Sequence, residues 1–448
     1  MTNIYAKAAL LKQGWVKNVR LVIEKGKITA IKTGVASDGT DERYDYIIPG
    51  MDNVHSHAFQ RAMSGLAERR GEGQDNFWSW RHLMYKQALQ LDPDDMQAIA
   101  AQLYMEMLEA GFTRVGEFHY LHHDRDGRPY ANLCEMAQSI ASAAQTTGIG
   151  LTLLPVFYAH SGFGGGVPHD EQRRFINTID GFVQLWQQCE NLISSFGSHG
   201  QLGLAIHSLR AATYEEMQHL LPLAINKPVH IHIAEQVKEV EDCLEFFQAR
   251  PVEWLLNNAP VDENWTLIHA THITPIEVMA VAKSGAVAGL CPITEANLGD
   301  GIFPMPDFLE FGGKFSIGSD SNIVISAVQE LRQLEYSQRL NLHSRNVVAA
   351  TGQSTGLRLF EEALRGGAKS IMGTGEVDVG KSADFVTLKV QDWADFSSNT
   401  LIDQWIFGQG IDVDCVFVAG KKRVEQGLHL DRAVIEPHFT ATMRKLRS

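Results

Sequence analysis

Hydrophobic positions along the chain fall into two textures. Near the start, Val19, Leu21 and Ile23 alternate with polar residues, and Glu24-Lys25-Gly26-Lys27 then turns into Ile28-Thr29-Ala30-Ile31. Period-two alternation broken by a glycine turn predicts short strands with one buried face. The same texture returns at residues 383–388 and 413–418, the second followed by the turn Ala419-Gly420-Lys421. Two β-rich ends around a different middle predict one small sheet domain, a β-sandwich, assembled from both termini.

The middle of the chain has a different rhythm. Apolar runs too continuous for one-faced strands recur at Tyr46-Ile47-Ile48-Pro49 and at residues 112–115, 150–156, 202–206, 229–233, 265–269, 286–290 and 315–318, each followed by a helical pattern. Strands apolar on both faces belong to parallel sheets covered by helices. Eight of them over about 270 residues predict a closed (β/α)8 TIM-like barrel. One connecting helix is fully signalled: Asp92 caps it, Pro93 opens it, Met96, Ile99, Leu103 and Met107 form its apolar stripe, and Gly111 ends it. The predicted division is residues 1–49 and 373–448 for the sandwich and residues 50–372 for the catalytic barrel.

Composition narrows the function. With 39 basic against 53 acidic residues the net charge is −14, which argues against coating nucleic acid or a membrane surface, since both need a positive field. No secretory leader and no apolar run near ~20 residues is readable. Five scattered cysteines without a Cys-x-x-Cys pair predict neither disulfides nor thiolate zinc knuckles, and fit a cytoplasmic setting.

Chemistry in such a barrel sits at the C-terminal strand ends. There the sequence places His55-Ser56-His57 on strand one, His232 with Glu235 on strand five, His269 on strand six and Asp320 on strand eight. Positions i and i+2 of a strand share a side, so His55 and His57 can reach one ion. Neutral imidazoles with a carboxylate suit zinc. His230 lies one layer deeper, where a core role is expected. His119, His122 and His123 are assigned to a loop or to support behind the site, His272 to the loop after His269, and His160 to the surroundings of the site. Strand four ends in His207-Ser208-Leu209-Arg210 with no lysine that a carbamate would need to bridge two metals, so one ion per chain is expected.

The run Pro49-Gly50-Met51-Asp52-Asn53-Val54-His55-Ser56-His57, with His232-Ile233-Ala234-Glu235, His269 and Gly318-Ser319-Asp320-Ser321, resembles the amidohydrolase superfamily. The segment from Gly375 to Asp384 resembles that family's return into its small sandwich. The resemblance implies zinc held by His55, His57, His232 and Asp320, with Glu235, His269 and Asp320 in catalysis. The sequence does not divide base and proton-shuttle duties among those three. His55-Ser56-His57-Ala58-Phe59-Gln60-Arg61, Trp80-Arg81, Phe118-His119-Tyr120 and His207-Ser208-Leu209-Arg210 further resemble the formimidoylglutamate deiminases of histidine degradation. By that resemblance Arg81, Tyr120 and Arg210 hold substrate carboxylates, while Gln60 and His207 contact its polar groups. Arginine suits a dicarboxylate because its planar fork binds carboxylates bidentately. The rival readings are a superfamily deaminase acting on a heterocycle such as guanine or cytosine, and a non-catalytic scaffold, which would lack intact metal ligands. The resemblance also allows a homodimer, though no heptad or apolar stripe marks an interface.

Overall fold

The structure is a computed structural model that describes residues 1–70, 75–391 and 397–447. Four strands open the chain: β1 (Thr2–Leu11), β2 (Gly14–Glu24), β3 (Lys27–Lys32) and β4 (Glu42–Pro49). Eight-fold parallel pairing follows in β5 (Met51–Ser56), β6 (Phe112–His119), β7 (Gly150–Phe157), β8 (Gly200–Leu202), β9 (Leu204–Ile206), β10 (Val229–Ile233), β11 (Trp265–His269), β12 (Val287–Leu290) and β13 (Lys314–Ile317). The chain then returns through β14 (Phe385–Val390), β15 (Ile411–Val418), β16 (Lys421–Glu425) and β17 (Leu428–His429) to one sheet ordered β17-β16-β15-β14-β4-β1-β2-β3.

That terminal sheet curls so that the β2–β3 turn meets the segment leading into β14. Ile28 N donates to Lys381 O at 3.0 Å, Ala383 N to Gly26 O at 2.9 Å, and Gly420 N to Ala383 O at 2.9 Å. The alternating residues Val19, Leu21, Ile23 and Ile28 thereby face Ile47, Phe385 and Phe417 in a separate apolar core. The period-two pattern is what allows one face to be buried this way.

The parallel strands wrap into a nearly closed barrel, β8 and β9 serving as two halves of one stave. Gly203 divides them because a Cβ there would lie 2.6 Å from both Leu154 Cδ2 and Pro228 O. The first stave differs from the sequence expectation. Tyr46–Pro49 belongs to β4 of the terminal sheet, and the barrel stave is the following Met51–Ser56, whose polar residues Asp52, Asn53, His55 and Ser56 are all buried. The seam between β13 and β5 closes through a bridge of Ser56 with Asp320: Asp320 N donates to His55 O at 2.9 Å and His57 N to Asp320 O at 3.1 Å. Gly318 permits that approach, since a Cβ would sit 2.7 Å from His55 Cβ. The helix Pro93–Glu109 starts at Asp92 with a reciprocal cap to Asp95 and buries the expected stripe. Among the described residues no helix is long and apolar enough to cross a membrane.

Candidate active site and metal centre

The barrel mouth collects its polar groups because each stave ends in one. His55 lies within β5 and His57 one residue past it, His232 lies in β10, His269 ends β11, and Asp320 follows β13. His269 and Asp320 adopt left-handed backbone, φ 68° and 46°, a conformation uncommon for residues with a Cβ and costing of order 1–3 kcal/mol. A buried network holds the seam in that shape. Asn53 Nδ2 donates to Ser319 Oγ at 2.7 Å, Ser319 Oγ to Asn322 Oδ1 at 2.6 Å, and Asn322 Nδ2 to His57 O at 2.9 Å.

Four acceptor atoms converge inside. His55 Nε2 lies 3.1 Å from His57 Nε2 and 2.9 Å from His232 Nε2, while Asp320 Oδ1 lies 3.4 Å from His55 Nε2 and 3.2 Å from His57 Nε2. His57 Nδ1 donates to Phe118 O at 3.0 Å, so its Nε2 presents a lone pair to the cluster. Burial keeps two of these imidazoles neutral: His55 is pushed down to about 3, and His232 falls well below its ordinary value through burial and the neighbouring His55. Bare lone pairs packed this closely repel unless a cation sits among them. Tetrahedral zinc with bonds of ~2.0–2.1 Å spaces its ligands about 3.3–3.4 Å apart, close to the observed separations. These donor types suit a zinc-like ion. His269 joins the cluster too, grouped within 4.8 Å with His55 and His232 and with Cys291 and Asp320, its Nε2 3.9 Å from Asp320 Oδ2.

The acid–base groups lie beside these donors. Glu235 Oε1 is 3.8 Å from His269 Nε2, and His269 Nδ1 is 3.6 Å from Glu295 Oε1. Burial works against charge on His269, but Glu235, Glu295 and Asp320 outweigh it and raise its pKa to about 10. Burial raises Glu235 above the usual carboxylate range, and Asp300 nearby is pushed up to about 8 by burial and then by Glu235. Glu235 is fixed from behind, its backbone N–H donating to Glu239 Oε2 at 3.1 Å. Glu239 in turn lies 3.9 Å from Arg210 Nε through Oε1.

A cavity opens over the cluster, and all five residues expected to bind substrate line it. Gln60 Nε2 donates to Tyr120 Oη at 3.1 Å, while Gln60 Oε1 is buried without a partner. His207 packs 4.3 Å from the Tyr158 ring. Arg210 is 9% exposed with no hydrogen bond at its Nε, and half-buried Arg81 stacks 4.4 Å over Trp78. The remaining histidines do other work. His230 Nε2 bonds Ser370 O at 2.9 Å, His122 Nε2 bonds Val156 O and His123 Nε2 bonds Ile176 O, each at 2.9 Å, and His160 pairs with Glu216 at 3.0 Å.

Several residues of the site carry no sequence signal. Glu295 sits in the short helix Pro292–Leu298 and its role emerges only from its approach to His269. Cys291 lies within metal-binding distance of His269 and Asp320, although no spacing marks it. Tyr85 and Tyr158 reach the cavity from separate elements.

Residues 46–423 match the model of the amidohydrolase family. The chain belongs to the amidohydrolase family. Within it, residues 1–45 match the N-terminal domain of the formimidoylglutamate deiminase HutF. A formimidoylglutamate deiminase of Pseudomonas aeruginosa is 48% identical over 436 residues, 96% of each chain. A 5-methylthioadenosine/S-adenosylhomocysteine deaminase of Natronomonas pharaonis is 25% identical, covering 90% of this chain and 87% of its own. The crystal structure of an amidohydrolase from Brucella melitensis superposes over 100% of both chains, with a TM-score of 0.97 and 52% identity. Like its relatives, this amidohydrolase carries the family's barrel with a sheet formed from both termini.

Proposed function

We propose that the chain hydrolyses N-formimidoyl-L-glutamate to N-formyl-L-glutamate and ammonia, a step of histidine degradation, with one zinc ion per chain held by His55, His57, His232 and Asp320. One observation carries the reading: a single cavity joins the four-donor cluster and Glu235 to two arginines, Arg81 and Arg210. Its support in kinship is the 48% identity to a protein named for this activity. When bound, zinc supplies Lewis acidity that lowers the pKa of a water from 15.7 to about 7.

The protein's own groups do the rest. Arg81, Tyr120 and Arg210 hold the carboxylates, and Gln60 and His207 contact the formimidoyl end, so that its carbon faces the cluster. Asp320 receives the water proton as the C–O bond forms, and His269 orients the water by hydrogen bonding. Glu235, whose buried carboxyl holds its proton more tightly than an exposed one, carries a proton to the amidine nitrogen, and the second comes from the intermediate's hydroxyl as the C=O bond forms, the C–N bond breaks and ammonia leaves. The substrate is a small molecule, and the reading needs neither nucleic acid nor membrane.

The test is ammonia release by zinc-loaded protein from N-formimidoyl-L-glutamate beside guanine, cytosine and adenosine, with bound metal measured. Strong preference for the formimidoyl amino acid at one zinc per chain is expected. Turnover of a heterocycle alone would overturn the substrate and keep the metal site.

A further inference from the structure

Tyr85 and Tyr158 are 5% and 4% exposed, line the cavity, and meet at a single buried side chain. Gln172 is 1% exposed and ends the short 3-10 turn Asp170–Gln172 between β7 and the helix Ile179–Ser194. Its amide orientation is fixed, because His169 N donates to Gln172 Oε1 at 2.8 Å and a backbone N–H can only donate. The NH2 group therefore points the other way, donating to Tyr158 Oη at 2.7 Å and Tyr85 Oη at 3.3 Å.

Both phenol oxygens thus accept from the amide, and their own protons must point elsewhere. At most one can be shared between the two neighbouring hydroxyls. At least one phenolic proton is left for whatever occupies the cavity. Arg210 and Arg81 line the same cavity as Tyr158, so an anionic acceptor is favoured there. Phe175 backs the arrangement, its ring 5.7 Å from Tyr85, 5.8 Å from Tyr158 and 5.0 Å from Tyr120.

We propose that Tyr85 and Tyr158 form a hydroxyl-donor subsite for one carboxylate of the substrate, alongside Arg81 and Arg210, with Gln172 as the positioning residue that sets its polarity. The inference rests on the dicarboxylate substrate proposed above. A hydroxyl donating to a carboxylate is a charge-assisted bond. A glutamine that only filled space would be replaceable by glutamate, whereas one that donates would not.

The experiment measures KM and kcat for N-formimidoyl-L-glutamate, and glutarate binding by calorimetry, in zinc-loaded protein. Tyr85→Phe/Tyr158→Phe is expected to raise KM about ten-fold or more and weaken glutarate equally, with kcat within about two-fold. Gln172→Glu keeps the shape but turns the donor into an acceptor that captures the phenolic protons. It should reproduce the same KM rise without a comparable loss of Tm. Unchanged KM and glutarate affinity in either variant, while wild type turns over the substrate, would overturn the subsite alone. A wild type inert toward N-formimidoyl-L-glutamate that still binds glutarate, more weakly in the tyrosine variant, would overturn the substrate and support the subsite. Failure of wild type to bind glutarate would overturn the subsite.

Discussion

Arg210→Met is the most informative single change, because Arg210 serves two partners. Toward the cavity it offers a guanidinium to a carboxylate; behind, its Nε lies 3.9 Å from Glu239, a fully buried side chain. Glu239 also accepts the backbone N–H of Glu235. Removing one member of a buried charge pair costs about 3–5 kcal/mol, and at ~1.4 kcal/mol per decade that is roughly 10²–10³ in kcat/KM for the lost substrate contact. Most of it should appear in KM. A smaller loss in kcat, about ten-fold, should follow from Glu239 seeking another partner and drawing the backbone of Glu235 with it. Adding Glu239→Gln to Arg210→Met removes the stranded charge, so kcat should recover while KM stays high. Steady-state ammonia release over a wide substrate range, in both variants and wild type, reads the two parts separately. A KM within about two-fold of wild type in Arg210→Met would refute the carboxylate contact, and a double variant no better in kcat than the single would refute the Glu239 link.

Glu235→Gln should keep its full metal content and lose about 10²–10⁴ in kcat, whereas His232→Ala should lose metal and turnover together; metal analysis beside activity separates them, and wild-type turnover in either removes that role. Arg174 is fully buried and donates to His123 O and Leu91 O, each at 2.8 Å. Stranding those carbonyls by Arg174→Met should destabilise the fold by about 4 kcal/mol, seen as a lower urea midpoint; a change under about 1 kcal/mol contradicts the assignment. His122 has its pKa held well below the ordinary value by burial and then by His119 and His123. A depressed folded pKa means the unfolded chain binds the extra proton, so this stabilisation is present above about 6.5 and lost as pH falls below it. His122→Gln should therefore flatten the fall in Tm between about pH 6.5 and 4, and an unchanged slope would show that His122 does not titrate on unfolding.

The barrel was legible because staves such as Val229–Ile233 and Trp265–His269 are apolar on both faces, a pattern that only a covered parallel sheet explains. The histidine–aspartate cluster was legible because the two-residue spacing of His55 and His57 survives any detail of the turn that follows. The first stave was not. Met51-Asp52-Asn53-Val54-His55-Ser56 reads as polar loop, and its burial depends on Ser319 and Asn322, more than 260 residues away. The preceding apolar Tyr46–Pro49 stood in for it. The cavity wall was half legible: Arg210 follows a strand end, whereas Tyr85, Tyr158 and Gln172 come from a helix, a strand end and a loop that only the closed barrel brings together.

The place where β4 hands over to β5 has a consequence for biosynthesis. β4 pairs on one side with β1, already made, and on the other with β14, where Phe385 faces Pro49 and Val386 faces Ile48. Gly50 N, at the entrance to the stave bearing His55, donates to Asp384 O at 3.3 Å. That partner is translated about 340 residues later, which at ~5–20 residues per second is roughly 17–70 s on the ribosome. During that interval the nascent chain carries an open strand edge with Ile47 and Ile48 on it, a template for pairing with other chains. The anchor below the stave bearing His55 is thus among the last contacts to form, and the barrel mouth matures after the bulk of the polypeptide has been made.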